Sequence, residues 1–312
     1  MKPEILLVDP MMPAIEQALD ATYTVHRLSA APDRDRLIAE VAPRVRAVVT
    51  GGGTGVKPAV VDALPNLGIV AINGVGTDAV DLEHARGRGV RVTNTPGVLT
   101  DDVADLAMGL VIAASRRMAA GDRFVRAGQW PKGKLSLARK VTGKRMGILG
   151  LGRIGEAIAK RAEAFGMGIA YTNRNPRSDV AYRFIASPED LARESDILVV
   201  AASAGPASRN MVGRAMLDAL GPDGILVNVA RGSVVDEPEL LAALTEGRLG
   251  GAGLDVFADE PNVPEGFFAL DNVVLQPHQA SATVETRTAM GQLVLDNLEA
   301  FFAGRPLPTA VV

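Results

Sequence analysis

The chain predicts an α/β protein of two parallel-sheet domains, the second of them doubly wound. Three observations carry this: the length, an alternation of short apolar runs with segments of helical period that starts twice, and a glycine-rich turn opening the second series. At 312 residues the chain exceeds the size at which one hydrophobic core usually stops growing, so two domains are expected. With 47% hydrophobic and 22% charged residues, its composition is that of a folded globular protein and lacks the signature of disorder.

In the first series the runs 5–8, 23–28, 47–50, 68–72 and 90–93 predict strands of a parallel sheet with crossover helices between them. Residues 77–88 (TDAVDLEHARGR) predict a helix, acidic in its first turns and basic at its end as the macrodipole favours. Asn94-Thr95-Pro96-Gly97 interrupts the pattern and marks a candidate domain boundary. A single long apolar-rich helix is predicted from Thr100 to residue 128. From Lys144 a second series begins, and the runs 145–149, 168–172, 197–201, 224–229, 251–256 and 272–275 predict a six-strand sheet. Residues 284–302 read as one amphipathic helix, long enough to return to the first domain.

Composition also excludes function classes. The net charge is −3 and the basic residues are scattered, so neither nucleic acid nor a membrane surface is an expected partner. No segment approaches the ~18 uninterrupted apolar residues of a spanning helix, and the opening apolar run is too short for a signal peptide. A cytoplasmic protein is expected. With no cysteine and only His26, His84 and His278, none spaced as metal ligands, no metal site is expected. His26 and His84 read as solvent-facing structural residues, which leaves His278 as the candidate for chemistry.

The strongest local motif is Gly147-Ile148-Leu149-Gly150-Leu151-Gly152-Arg153-Ile154-Gly155, a Gly-x-Gly-x-x-Gly directly after a strand and directly before a helix. Gly150 is expected to make the tight turn, Gly152 to let the backbone approach a pyrophosphate, and Gly155 to let helix and strand pack closely. The helix N-terminus, with Arg153 and Ile154, offers free N–H groups to phosphate. An NAD-preferring site usually carries an acid about 20 residues further on, at the end of the second strand. Here Asn173 and Arg174 stand there. A neutral amide and a guanidinium suit a 2′-phosphate, so NADP(H) is the expected cofactor, with NAD(H) the weaker alternative.

Three later segments place charged or titratable residues directly after buried-looking strands, where α/β sheets bind ligands. They are Leu226-Val227-Asn228-Val229-Ala230-Arg231-Gly232, the run from Gly253 through Asp255 to Glu260-Pro261, and Val274-Leu275-Gln276-Pro277-His278-Gln279-Ala280-Ser281. Together with the glycine-rich turn, Asn73-Gly74-Val75-Gly76-Thr77-Asp78 and Val92-Thr93-Asn94-Thr95-Pro96-Gly97, they give a chain that resembles the D-isomer-specific 2-hydroxyacid dehydrogenases, in the glyoxylate/hydroxypyruvate and hydroxyphenylpyruvate reductase branch. The resemblance runs through nearly the whole chain.

It implies two Rossmann-like/flavodoxin-like domains, the doubly wound cofactor domain (98–285) inserted into a substrate domain (1–97 with 286–312). It also implies roles that make chemical sense. His278 is the general acid that protonates the substrate carbonyl as hydride arrives. Glu260 fixes its tautomer and favours the charged ring. Arg231 holds the substrate carboxylate. Backbone N–H groups at Val75 and Gly76 take the same carboxylate, and Asp255 sits at the nicotinamide end of the cofactor. A homodimer is implied, formed through the helix from Thr100 and Gln129-Trp130-Pro131. Trp130 reads equally as a residue reaching the neighbouring subunit's site and as a packing residue. Gly51-Gly52-Gly53-Thr54-Gly55 reads equally as a mobile wall of the pocket and as a plain turn.

One departure stands out: Gln279 and Ala280 replace the Ile-Gly of many relatives, which bears on pocket size. The alternatives are a phosphoglycerate-type dehydrogenase and a dinucleotide-sensing, corepressor-like protein. Glu260, where formate dehydrogenases carry Gln, argues for proton transfer.

Overall fold

The computed structural model describes residues 2–312. Among these described residues the chain divides into two compact units, one holding residues up to Leu99 together with Ala282–Val312, the other Thr100–Ser281. The first unit runs β1 (Glu4–Leu7), α1 (Pro13–Thr22), β2 (Thr24–Arg27), α2 (Arg34–Val41), β3 (Val45–Gly51), α3 (Pro58–Ala63), β4 (Ile69–Asn73), α4 (Leu82–Gly87) and β5 (Arg91–Thr93). The second begins with α5 (Thr100–Ser115) and α6 (Met118–Arg126). It continues as β6 (Arg145–Leu149), α7 (Arg153–Glu163), β7 (Gly168–Thr172), β8 (Arg183–Phe184), α8 (Pro188–Arg193) and β9 (Ile197–Val200). Then follow α9 (Arg214–Leu220), β10 (Ile225–Asn228), α10 (Glu237–Thr245), β11 (Gly251–Leu254) and β12 (Val273–Leu275), before α11 (Val284–Phe302) returns to the first unit.

In the first unit all strands pair in parallel in the order β2-β1-β3-β4-β5, the flavodoxin-like order. Its strands are near-continuous apolar runs because both faces are covered. Leu6, Val48, Val70, Ile72 and Val92 pack on one face with Ile38, Val41, Val61 and Ala85 from α2, α3 and α4. The alternate residues Ile5, Leu7, Val49, Ile69 and Ala71 pack on the other with Leu19 of α1 and Val294 and Leu298 of α11. Residues 311 and 312 bond back to Val92 and cover the β5 edge.

The second unit is a parallel sheet in the order β12-β11-β10-β9-β6-β7-β8. One face carries α8, α9 and α10 through Leu191, Leu217, Leu240 and Leu244, each at most 4% exposed. Burying such a leucine is worth roughly 2 kcal/mol. On the other lie α5 and α7, packed on each other, with α5 also against β10 and β11.

Four local expectations need correction. The sheet has seven strands, because β8, only two residues long, is too short to show a pattern in sequence. The long helix from Thr100 is two helices: the buried face of α5 ends at Ser115, and Arg117, with φ 53°, turns the chain before α6. The helix expected from residue 77 starts at Leu82, since the Asp81 carboxylate captures the His84 N–H at 2.9 Å as an N-cap. His26 is not solvent-facing but half-buried, its Nε2 2.7 Å from Glu4 across β1 and β2.

Helix α7 lies tight on the strand before it because Gly155 has no side chain: a Cβ there would stand 2.3 Å from the Gly150 carbonyl oxygen and 3.1 Å from Ile148 Cγ2. Gly155→Ala is therefore expected to lower stability by about 1–3 kcal/mol, read as a lowered midpoint in denaturant unfolding; an unchanged midpoint would contradict this packing.

Candidate active site

Parallel pairing puts the C-terminal ends of β6, β7, β10, β11 and β12 on one edge of the second unit. Strand β6 lies between β7 and β9, so the chain winds outward from it in two directions, and the turn after β6 occupies the switch point where open α/β sheets bind ligands. That turn holds the glycine motif. Gly150, at φ +99°, has its missing Cβ 2.5 Å from the backbone of Ala202, so only glycine fits. Gly152 is different: a Cβ there would meet nothing within 4 Å, which leaves open space beside the backbone. The first N–H groups of α7 have no helical partner and open onto that space. A dinucleotide pyrophosphate fits such a cradle.

The β7–β8 loop flanks the turn. Asn173 does not hold its amide free: its Oδ1 accepts the Leu151 N–H at 2.6 Å, and its Nδ2 donates to the Leu151 carbonyl at 3.4 Å. Arg174 and Arg153 are both exposed, and among the described residues neither guanidinium has a partner.

On the other side of the switch point the chain gathers Arg231, Glu260 and His278 behind three adjacent strands. Arg231 follows β10 in a turn braced by Asn228, which is 1% exposed. The Asn228 amide donates to the Arg231 carbonyl at 3.0 Å and accepts the Ala230 N–H at 3.1 Å. Gly232 must be glycine here, since a Cβ would fall 1.9 Å from the Phe257 carbonyl carbon. This locks the Arg231 turn against the loop that carries Glu260. The Glu260 Oε1 accepts the Phe257 N–H at 3.0 Å, and Oε2 stands 2.6 Å from Nδ1 of His278. An ionised carboxylate can only accept, so Nδ1 carries the proton and Nε2 is the ring nitrogen left for another partner.

His278 sits at φ +53°, in the left-handed region. Asp255 holds it there. The His278 N–H donates to the Asp255 carbonyl at 2.8 Å, while the Gln279 and Ala280 N–H groups donate to the two Asp255 carboxylate oxygens at 2.7 and 3.0 Å. Asp255 is 1% exposed, and burial pushes its carboxyl above the ordinary range against the pull of those two N–H groups. For Glu260, burial likewise acts upward, but the hydrogen bonds from His278 and Phe257 and the charges of His278 and Arg231 outweigh it, leaving the carboxyl below its usual value. A lowered carboxyl contributes stability above its unfolded value and loses it as pH falls through the folded one, so the Glu260 carboxylate keeps its charge further into acid than a free one would. Gln279 and Ala280 leave this bracket intact.

Val75 and Gly76 stand in the first unit, after β4. Val75 is 37% exposed, and its carbonyl accepts from Asn94 Nδ2 at 2.9 Å. The glycine loop at 51–55 is tied down: Asp9 takes the Gly51 N–H at 2.7 Å and the Thr54 hydroxyl at 3.0 Å. Asp9 and Asn228 were missed as positioning residues in sequence; a lone polar residue at the end of an apolar strand is the signal both carry. Among the described residues no group of His, Asp and Glu is placed to hold a metal ion, and no helix is long and apolar enough to cross a membrane.

Known proteins resemble this chain in sequence and fold. Residues 108–280 match the family model of the D-isomer specific 2-hydroxyacid dehydrogenase, NAD binding domain. The chain is 49% identical over 311 residues to a 2-ketogluconate reductase of Gluconobacter oxydans, covering 100% of this chain and 99% of that one. It is 51% identical over 308 residues to the hydroxyphenylpyruvate reductase of Plectranthus scutellarioides, covering 99% and 98%. The structure of an NADPH-dependent glyoxylate/hydroxypyruvate reductase from Sinorhizobium meliloti, in complex with NADP and malonate, superposes with a TM-score of 0.92 at 39% identity, covering 100% of this chain and 97% of that one. With this edge of strand ends, a family model over more than half its length and relatives near 50% identity end to end, the chain belongs to the D-isomer specific 2-hydroxyacid dehydrogenases.

Proposed function

We propose that this protein reduces small 2-oxo acids to D-2-hydroxy acids with NADPH, NADH being the weaker alternative. The observation that carries the reading is the 2.6 Å pair of His278 and Glu260 on the same sheet edge as Arg231 and the glycine turn. In this reading His278 gives the proton on Nε2 to the substrate carbonyl oxygen. Glu260 keeps Nδ1 protonated and balances the imidazolium. Arg231 offers a planar fork to the substrate carboxylate and draws electron density from the carbonyl. Asp255 holds the histidine turn at the nicotinamide end. The cofactor, when bound, supplies a hydride to the carbonyl carbon.

The substrate class follows from the relatives: glyoxylate, hydroxypyruvate and hydroxyphenylpyruvate, with 2-ketogluconate added by the Gluconobacter protein. Support for NADPH comes from the exposed Arg153 and Arg174 beside the glycine turn, from the lack of an acid at Asn173, and from the NADP complex of the Sinorhizobium protein. A homodimer belongs to the same proposal. Met118, Val125, Trp130 and Leu137 are 56%, 54%, 69% and 97% exposed within one short stretch, more apolar surface than a lone subunit usually leaves to water.

His278→Gln is expected to lower kcat for reduction by about 10²–10⁴-fold while NADPH affinity holds within about threefold; a variant retaining most of its turnover would remove His278 from the mechanism. Glu260→Gln is expected to lower kcat by less than His278→Gln does, because the amide oxygen can still accept from Nδ1 but carries no charge; a loss equal to that of His278→Gln would contradict this supporting role. Across the four acids above, kcat/KM with NADPH should exceed that with NADH by about tenfold or more, as one charge-assisted phosphate contact permits; a tenfold preference for NADH would overturn the cofactor reading. Sedimentation should give twice the 32.6 kDa chain mass, and Leu137→Asp with Met118→Asp should shift it to the single mass; a wild type that sediments as one chain would end the dimer proposal.

A further inference from the structure

The β7–β8 loop contains an arginine that the cofactor reading leaves unused. Arg177 turns back from the loop toward the glycine motif, and each of its three guanidinium nitrogens donates within the protein. Its Nη1 donates to Glu156 Oε2 at 2.8 Å and to the Leu151 carbonyl at 3.3 Å. Its Nε donates to Asp179 Oδ1 at 3.0 Å, and its Nη2 to the other Asp179 oxygen. Its backbone N–H donates to the Tyr171 hydroxyl at 2.8 Å, on a ring only 1% exposed.

Leu151, inside the glycine turn, is thus gripped twice: by Asn173 on both its N–H and its carbonyl, and by Arg177 on its carbonyl. Arg174 lies between these two anchors, exposed and without a partner among the described residues. The brace has an electrostatic side as well. Glu156 lies in the first turn of α7 and Asp179 in the same loop as Arg174. Two bare carboxylates there would repel a 2′-phosphate. Arg177 is ion-paired to both, and Lys160 shares Glu156 at 2.9 Å.

We infer that Arg177 is a positioning residue for cofactor selection: it fixes the 2′-phosphate loop to the pyrophosphate turn and neutralises Glu156 and Asp179, so that NADP is favoured over NAD without Arg177 touching either. A loop backbone fixed in advance leaves less to be ordered when phosphate arrives. NAD, with a hydroxyl in place of the phosphate, gains little from the brace. The lowered carboxyls of Glu156 and Asp179, drawn down first by hydrogen bonds from Lys160 and Arg177 respectively, agree with this.

The inference rests on the proposed NADPH reading, and calorimetric titration of the full-length protein with NADP⁺ and with NAD⁺ separates the two. Arg177→Ala is expected to weaken NADP⁺ binding about tenfold and NAD⁺ binding less than threefold, raising the KM for NADPH while kcat at saturation stays within twofold. Adding Glu156→Gln to Arg177→Ala should recover part of the NADP⁺ affinity, and Arg177→Lys, which keeps the charge but not the fork, should fall between. If Arg177→Ala weakens both cofactors equally, or neither, while Arg174→Ala weakens NADP⁺ alone, the brace is refuted and the cofactor reading stands. If Arg174→Ala leaves NADP⁺ binding at the wild-type level, both fall together.

Discussion

The chemistry assigned to this protein depends on how one histidine is held. His278 adopts a left-handed backbone conformation that L-residues rarely occupy, and it does so because Asp255 takes three successive N–H groups, those of His278, Gln279 and Ala280. With the backbone fixed, the ring can reach Glu260 through Nδ1 and leave Nε2 open. Without that hold the 2.6 Å pair would have no reason to form in one orientation. The carboxylate that fastens the turn is almost wholly buried, and burial opposes its charge; two N–H donors offset only part of that cost.

The parallel sheet supplies the rest of the arrangement. Because all strands of the second unit run the same way, every loop that leaves a strand's C-terminal end opens on the same edge. Glycines then decide how closely those loops approach. Gly150 and Gly155 are required by contacts inside the protein and Gly232 by the passing Phe257 backbone, whereas Gly152 alone borders open space. The contrast separates glycines that build the turn from the one that leaves room beside it, a distinction that the motif's spacing states but cannot measure.

Much of this was legible in the sequence because parallel strands buried on both faces are short apolar runs, and such runs mark themselves: all five strands of the first unit, and six of the second, fall where the pattern puts them. The misses have physical causes. Strand β8 spans two residues, below any periodicity. The break at Arg117 lies between two segments that are each good helix, and a positive φ at an arginine has no sequence signal. The start of α4 moved because Asp81 competes for the helix end more strongly than acidic residues upstream. At the candidate site, the residues proposed to meet a ligand could be read from the strand ends. The residues that hold them could not, since Asn228, Asp9 and Arg177 act through backbone atoms that only the folded chain brings near.

The positive φ at His278 makes a direct test of its role available, because glycine occupies that conformation without strain. His278→Gly should keep the turn, bind NADPH as the wild type does, and lose reduction of 2-oxo acids. Adding imidazole should then restore turnover in proportion to the imidazolium present. A glycine variant that binds cofactor normally but gains no activity from imidazole, or one that never lost it, would contradict the assignment of the proton to this side chain.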